Sequence, residues 1–140
     1  MLAIAVAVAM WPAGAAESTH RRPPTDTISV VELARLINDY RRDQGLEPLD
    51  FATDLDGLAW AHTNAMADEG RLSHDGFRDR HLRTGSRICV ENVARNFRTP
   101  QALLEGWQRS PSHQRNLLEP QVGRMAIAAR ERYVTFFACR

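Results

Sequence analysis

The sequence predicts a layered α+β domain, and three observations carry that prediction. Apolar residues recur at helical spacing through the first half of the chain, between residues 30 and 66. Thr99-Pro100 and Ser110-Pro111 have the form of helix starts, with a capping side chain followed by proline. Two apolar runs separated by charged residues close the chain and indicate a β-hairpin. Helices followed by strands are typical of a layered α+β domain.

The first helix is predicted to begin at Ser29. Ser29 and Glu32 have the spacing of a capping box, in which each side chain satisfies backbone N–H groups of the first turn. Gly45 is the expected C-terminal stop, because glycine readily takes the backbone conformation that ends a helix. Between these limits one face of the helix is apolar and carries Val30, Leu33, Ala34 and Ile37.

The second helix is predicted from Asp54 to Glu69, just before Gly70. A single face of this helix holds the residues expected to point inward, which are Leu55, Leu58, Ala59, His62, Ala65 and Met66. Because His62 shares that face with apolar neighbours, we interpret it as a packed core histidine and not as a ligand.

Signals in the middle of the chain are weaker. Residues 71–86 are rich in Gly, Ser, His and Arg and lack an apolar stripe, so we expect a loop with short helical turns. Residues 87–94 combine β-branched and small side chains and are predicted to form a strand. Further helices are expected from Thr99 and from Ser110 to Leu118. The closing hairpin then joins two apolar runs, MAIAA and YVTFFAC.

Length and charge narrow the class of protein. A chain of 140 residues is the size of one ordinary domain, and its 44% hydrophobic content is typical of a globular protein. The 18 basic and 17 acidic side chains nearly cancel, leaving a formal charge of +1. Such a balance gives no broad attraction to nucleic acid, so no nucleic-acid partner is expected. We expect a monomer that uses no organic cofactor.

Residues 1–16 have a composition of their own. They carry no charged side chain, and their apolar stretch is far too short for a bilayer-spanning helix of about 20 residues. The small-residue sequence AGA follows, as at a signal-peptidase site, so we predict a signal peptide over 1–16 and an exported, periplasmic or extracellular protein. No Lys or Arg precedes the apolar stretch, and an uncleaved anchor or a disordered tail is the alternative. Residues 17–27 are predicted to be a flexible lead-in to a domain over 28–140, with no transmembrane helix in the mature chain.

The two cysteines, Cys89 and Cys139, agree with export, because an oxidising compartment allows an even pair to bond. The alternative is a pair of buried free thiols. Sequence spacing does not decide between them, because a disulfide requires Cα atoms within about 7 Å.

Several segments of the chain resemble one family. They are LINDYRRDQGLEPL, AHTNAMADEGRLSHDGFRDR, ENVA and TPQALLEGWQRSPSHQRNLL, in that order. Together they resemble the bacterial type of the CAP superfamily, which comprises cysteine-rich secretory proteins, antigen 5 and pathogenesis-related 1 proteins. The resemblance runs from Ile28 to Cys139. It implies an α-β-α sandwich with a central, mostly antiparallel sheet and flanking helices.

The same resemblance implies a cleft of polar side chains. His74 matches the first cleft histidine of the family, Glu91 the cleft glutamate and His113 the second histidine. In the family such residues can hold a divalent metal, often zinc, so the three are the predicted metal ligands and the candidate catalytic residues if there is catalysis. A further family glutamate, a few residues beyond Trp107, is missing, and Ser110 stands near its place.

Three neighbours, Asn92, Arg80 and Ser110, are expected to support this cleft. Asn92 is expected to orient loops through its amide. Arg80 is expected either to pair with Asp75 or Asp79 and order the loop around His74, or to remain solvated. Imidazole nitrogen and carboxylate oxygen are ordinary zinc ligands. The alternative is a buried polar network in which imidazoles and carboxylate satisfy one another.

Three functions follow from the resemblance. The favoured one is a secreted or periplasmic binding module for a small apolar or lipid-like ligand, or for an envelope or partner-protein surface. The second is a metal-assisted hydrolase of peptides or cell wall. The third is a structural or stress-related secreted protein without catalysis. Serine hydrolysis is not expected, because Ser73 and Ser112 are adjacent to the histidines and no Gly-x-Ser-x-Gly is present.

Overall fold

The computed structural model describes residues 27–140, so the predictions for a signal peptide and most of the lead-in lie outside the described residues. Within the described chain, no helix has the length and apolar character needed to cross a membrane. Five helices and four strands follow one another as α1 (Val30–Asp43), β1 (Asp50–Phe51), α2 (Thr53–Glu69), α3 (Phe77–Thr84), β2 (Cys89–Arg95), α4 (Pro100–Gln108), α5 (Pro111–Leu117), β3 (Arg124–Arg130) and β4 (Tyr133–Cys139).

Helix α1 confirms the prediction at both ends. The hydroxyl of Ser29 accepts a hydrogen bond from the backbone N–H of Glu32 at 3.4 Å. Only this half of the capping box forms, because the Glu32 carboxylate instead binds Arg35. Gly45 follows the helix with φ of +75°, a left-handed conformation that costs glycine little.

Helix α2 ends at the predicted Gly70, which takes the left-handed conformation. The predicted inner face is wrong at one position, since Ala65 is exposed. Thr63 is buried in its stead, and its hydroxyl contacts that of Thr135 on β4 at 2.8 Å. Thr63, whose hydroxyl has a buried hydrogen-bond partner, therefore contacts the sheet where Ala65 was expected to do so.

Helix α3 lies where a loop with short helical turns was expected. Its eight residues lack an apolar stripe because the helix is mostly exposed and its buried residue is a charged one, Arg80. Hydrophobic periodicity cannot reveal a helix that packs through a polar side chain.

The four strands form one mixed sheet with the order β1-β3-β4-β2. The predicted hairpin is confirmed, with β3 and β4 antiparallel and the positive φ of Glu131 in its turn. Strand β2 pairs antiparallel with β4 and forms one edge of the sheet. Strand β1, which the sequence did not predict, pairs parallel with β3 through two residues at the other edge.

Helices cover both faces of this sheet, as the predicted α-β-α sandwich requires. Helix α2 packs on one face against alternate residues of β3 and β4, including Ala126, Ala128 and Phe137. On the other face, α1, α4 and α5 pack around Phe136 and Trp107 in the larger cluster. Successive strand residues point to opposite faces, so each strand serves both layers.

Candidate functional site

Glu91 lies on the edge strand β2, opposite Phe137 of β4, and its side chain enters the layer formed by α2 and α3. The carboxylate is 1% exposed. A carboxylate removed from water needs charged or hydrogen-bonding partners to remain ionised. Three side chains from α2, α3 and the loop between them supply those contacts.

Arg80 is the principal partner of Glu91. Its Nε donates to Glu91 Oε2 and its Nη2 to Oε1, both at 2.9 Å, which makes a two-pronged, charge-assisted pair. Its Nη1 donates to the backbone carbonyl of Asp75 at 2.7 Å. Arg80 therefore orders the loop around His74, as expected, but it does so through the Asp75 carbonyl and Glu91 and not through the carboxylates of Asp75 or Asp79. The alternative of a solvated Arg80 is wrong, because the residue is 9% exposed.

His74 meets the same carboxylate from the solvent side. Its Nδ1 lies 2.9 Å from Glu91 Oε1, while its side chain is 52% exposed. An ionised carboxylate can only accept hydrogen bonds, so Nδ1 carries the proton in this contact. The predicted proximity of His74 and Glu91 is thus present in the structure.

His62 also belongs to this cluster, which sequence reasoning missed. The residue is buried, as expected, yet its Nε2 contacts the Ser73 carbonyl at 2.8 Å and lies 3.7 Å from Glu91 Oε1. Burial lowers the pKa of His62, the Glu91 charge opposes that shift and Arg80 adds to it. The available signal was that a buried histidine on an apolar helix face needs a polar partner.

His113 is the third predicted ligand, and it lies on a different element from the other two. It belongs to α5, in the layer on the other face of the sheet, and its ring lies 6.4 Å from that of Trp107. In the part of the chain that is described, no hydrogen bond links its ring to His74 or Glu91. Burial lowers the pKa of His113, and the electrostatic influence of the nearby His74 lowers it further.

Two asparagines connect α5 to the edge strand. Asn92 donates through Nδ2 to the His113 carbonyl at 3.0 Å. This contact agrees with the expectation that the Asn92 amide orients a neighbouring segment. Asn116 donates through Nδ2 to the Glu91 carbonyl at 3.0 Å and to Asn92 Oδ1 at 2.9 Å. The backbone on which Glu91 sits is therefore fixed from the side opposite Arg80.

Ser110 precedes α5 at the N-cap position, but its side chain caps no backbone N–H group. Its hydroxyl lies 3.4 Å from that of Ser112 instead. The prediction that α5 begins at Ser110 is confirmed, but the predicted capping hydrogen bond is wrong. Among the described residues, Ser110 makes no hydrogen bond to the cleft residues.

A groove of about 290 Å³ lies along the edge of β2 beside these residues. Its polar side is formed by His74, Glu91 and Asn116, and its apolar side by Phe77, Cys89 and Val90. Cys89 is bonded to Cys139 as a disulfide, with Cα atoms 4.1 Å apart, and the alternative of two free thiols is wrong. The bond links β2 to β4 at directly opposed positions.

The donor set does not match a three-ligand metal centre in this arrangement. Both oxygens of Glu91 already accept from Arg80, whose guanidinium compensates the charge of the carboxylate. Over residues 27–140, no group of three His, Cys, Asp or Glu side chains is placed to hold a metal ion. Metal binding stays a prediction from the resemblance.

The fold of this chain is similar to that of several solved structures. An extracellular protein containing an SCP domain from Bacillus anthracis is 26% identical, with a TM-score of 0.73, over 79% of this chain and 39% of that one. A cysteine-rich secretory protein from Staphylococcus aureus is 20% identical, with a TM-score of 0.72, over 86% and 40%. An outer surface protein from Borrelia burgdorferi is 17% identical, with a TM-score of 0.71, over 79% and 91%. The fold is that of an SCP domain.

The sequence comparison agrees with the fold. The chain belongs to the cysteine-rich secretory protein family, CAP, whose sequence model matches residues 34–139. The uncharacterized protein YkwD of Bacillus subtilis (strain 168) is 24% identical over 125 residues, which are 83% of this chain and 49% of YkwD. The chain thus spans about half the length of this relative.

Proposed function

We propose that the chain is an exported binding module that takes a small ligand or an envelope surface into the groove along β2. Export is supported by the charge-free apolar segment at residues 1–16 and by the disulfide between Cys89 and Cys139. It is also supported by relatives described as an extracellular protein and as an outer surface protein.

The observation that carries the proposal is the half-exposed His74, held at 2.9 Å by a buried carboxylate on the wall of a groove. Concave sites that combine an apolar wall with a few fixed polar groups are typical ligand sites. Because Glu91, Arg80 and His74 already fix one another, the groove is organised before any ligand enters, which lowers the cost of binding.

Shift mapping of the full chain by NMR tests this proposal. The panel contains apolar and lipid-like small molecules, saccharides and single ions. We expect at least one member to give saturable shifts confined to the groove, at residues such as Phe77, Val90 and Asn116. A panel in which no member perturbs the groove, or in which every binder maps elsewhere, would contradict a binding role for this site.

Hydrolysis is a second candidate, and the contact between His74 and Glu91 favours it. A carboxylate that accepts from one imidazole nitrogen orients the other as a general base. If this is the function, His74→Ala removes turnover of peptide or cell-wall substrates, with and without added zinc. Turnover that is absent from the wild-type protein under both conditions would remove the candidate.

Zinc binding is tested by calorimetric titration of the full chain. A centre built on the three predicted ligands requires that zinc affinity fall in both His74→Ala and His113→Ala. Equal zinc affinity in the wild type and in both variants would contradict a zinc centre built on these residues. The alternative, a polar network around Glu91, would then explain their positions.

A further inference from the structure

We infer that the groove along β2 binds a neutral ligand through that ligand's own hydroxyl donors, as a saccharide unit provides, because the groove offers hydrogen-bond acceptors. The inference rests on the proposed function in one respect, namely that this groove is the ligand site. It specifies a neutral ligand that carries hydroxyl groups, whereas the family resemblance implies a small apolar or lipid-like ligand or a protein surface.

The first acceptor is His74. Its Nδ1–H is committed to Glu91 Oε1 at 2.9 Å. In a neutral imidazole with a protonated Nδ1, the other nitrogen, Nε2, carries a lone pair and can only accept. Since the side chain is half exposed and lines the groove, Nε2 is the nitrogen left for a ligand. It selects an O–H or N–H donor.

The second acceptor is Asn116. Carbonyl oxygens only accept, so the contact between Asn92 and the His113 carbonyl fixes the Asn92 amide nitrogen there and turns Asn92 Oδ1 toward Asn116. Both hydrogens of the Asn116 amide nitrogen are then used, on the Glu91 carbonyl and on Asn92 Oδ1. Asn116 Oδ1 therefore stays available as an acceptor at the groove wall.

Charged ligands fit this groove poorly. An anion needs N–H donors, and the Nδ1–H of His74 and both amide hydrogens of Asn116 on this wall are already committed to protein acceptors. A cation needs uncompensated negative charge, and the Glu91 carboxylate is paired with the Arg80 guanidinium. A neutral ligand avoids both costs.

An extended peptide also fits poorly, although β2 is an edge strand. Residues in non-hydrogen-bonded pairs with β4 turn their backbone groups to the open edge, and Glu91 and Val93 hold such positions. The Glu91 carbonyl is covered by Asn116 at 3.0 Å, and the Val93 carbonyl by the Trp107 indole N–H at 3.4 Å. Adding a strand requires these carbonyls, so the edge is closed to ladder pairing.

The apolar side of the groove completes the argument. Phe77 and Val90 line the same groove as the two acceptors and offer apolar surface to the ligand. A pyranose has the matching composition, since it carries hydroxyl donors at its rim and C–H groups on its face. A purely apolar ligand would leave both acceptors without partners, which costs binding free energy.

NMR titration of the full chain with maltotetraose and with the N-acetylglucosamine tetramer tests the inference, with inorganic phosphate, choline and zinc chloride as comparison probes. We expect at least one saccharide to give saturable shifts at the groove below about 10 mM, an affinity range reached by weak ligands. In His74→Ala, binding should weaken about tenfold, which corresponds to one hydrogen bond. Because the His74 side chain is half exposed, His74→Ala should fold as the wild type does, and the dispersion of its amide spectrum checks this.

His81→Gln serves as the matched control. His81 does not itself line the groove, although its ring lies 6.0 Å from that of Phe77. Its Nε2 contacts the Ser86 carbonyl at 2.9 Å, and glutamine can replace that contact. Saccharide affinity should be unchanged in this variant. A second readout needs no variant, because the ring-nitrogen shifts of His74 at about pH 8.5 should show a protonated Nδ1 and an unprotonated Nε2.

Three results would overturn the inference. They are a protonated Nε2 on His74, saccharide affinity that His74→Ala leaves unchanged, and no saturable saccharide binding up to that concentration. If a different probe binds the groove and depends on His74, the saccharide inference falls and the proposed function stands. If no probe of any class perturbs the groove, both fall.

Discussion

Glu91 carries a negative charge into the protein interior, where only close pairing offsets the loss of hydration. Arg80 provides that pairing through two hydrogen bonds and adds a third bond to the Asp75 carbonyl. Arg78, two residues earlier on the same helix, is exposed. These two arginines give a matched comparison within α3.

Replacing Arg80 should be far more destabilising than replacing Arg78. Arg80→Met leaves the Glu91 carboxylate buried without its counter-ion, at an expected cost of about 3–5 kcal/mol in the free energy of unfolding. Arg78→Met should cost less than about 0.5 kcal/mol. Urea unfolding of both variants measures the difference. Similar losses would mean that Glu91 is stabilised by other contacts.

The buried histidine gives the molecule a pH dependence of known sign. Because burial lowers the pKa of His62 in the folded state, the unfolded chain binds more protons once the pH falls below the usual imidazole value of about 6.5. The contribution of His62 to stability is therefore complete above that pH and is lost as the pH falls toward the lowered pKa.

We expect the free energy of unfolding to fall between about pH 7 and pH 5, and to fall less steeply in His62→Gln. Urea midpoints across this range provide the measurement. His81→Gln, a histidine variant outside the Glu91 cluster, should keep the wild-type slope. An unchanged slope in His62→Gln would assign the dependence to other groups.

At this scale the resemblance predicted the meeting of His74 with Glu91, but the residues alone did not. The two are 17 positions apart and no local pattern links them. The partner of Arg80 was mistaken because Asp75 and Asp79 are nearer along the chain, whereas folding brings in a carboxylate from an edge strand. His62 was taken as packing because a helix face shows which residues are buried and not which polar atoms meet there.

Helices α4 and α5 begin in the same way in sequence and differently in structure. The Thr99 hydroxyl accepts from the Ala102 N–H at 3.1 Å, whereas Ser110 makes no capping bond. Each is followed by proline at the first helical position. Comparing alanine variants of the two residues therefore measures how much one capping hydrogen bond contributes to the free energy of unfolding.

Thr99→Ala should lower the free energy of unfolding by about 1 kcal/mol, the usual cost of losing an N-cap. Ser110→Ala should change it by less than about 0.5 kcal/mol. Chemical denaturation of the two variants checks this. Equal effects would show that Ser110 caps α5 in solution despite its contact with Ser112.

The elements with strong periodicity or a distinct turn were predictable, and the others were not. α1, α2 and the hairpin of β3 and β4 follow from repeating apolar positions and flanking stop residues. β1 has only two residues, both exposed, so it carries no alternation to detect. α3 was missed because its inward residue is an arginine whose partner lies in another element.

The sandwich is joined covalently at one place. The bond from Cys89 to Cys139 spans 50 positions and encloses α4, α5 and β3 between its ends. Closing a long loop restricts the unfolded chain more than a short one, in the chain-entropy account. Stability of the whole domain should therefore depend on this bond.

The double variant Cys89→Ala/Cys139→Ala should lose about 2–4 kcal/mol relative to the oxidised wild type. Unfolding under non-reducing conditions measures the loss. Added reductant should lower the stability of the wild type toward that of the double variant and leave the double variant unchanged. A wild type that is insensitive to full reduction would contradict a stabilising role for the bond.

Cys89 belongs to two structures at once, since it is part of the groove wall and half of the covalent link to the last strand. Ligand binding in the groove and reduction of the disulfide are therefore linked equilibria. If reduction lowers the affinity for a ligand by some factor, bound ligand disfavours reduction of the disulfide by the same factor. Under that condition, the domain would bind its ligand more tightly in an oxidising medium than in a reducing one.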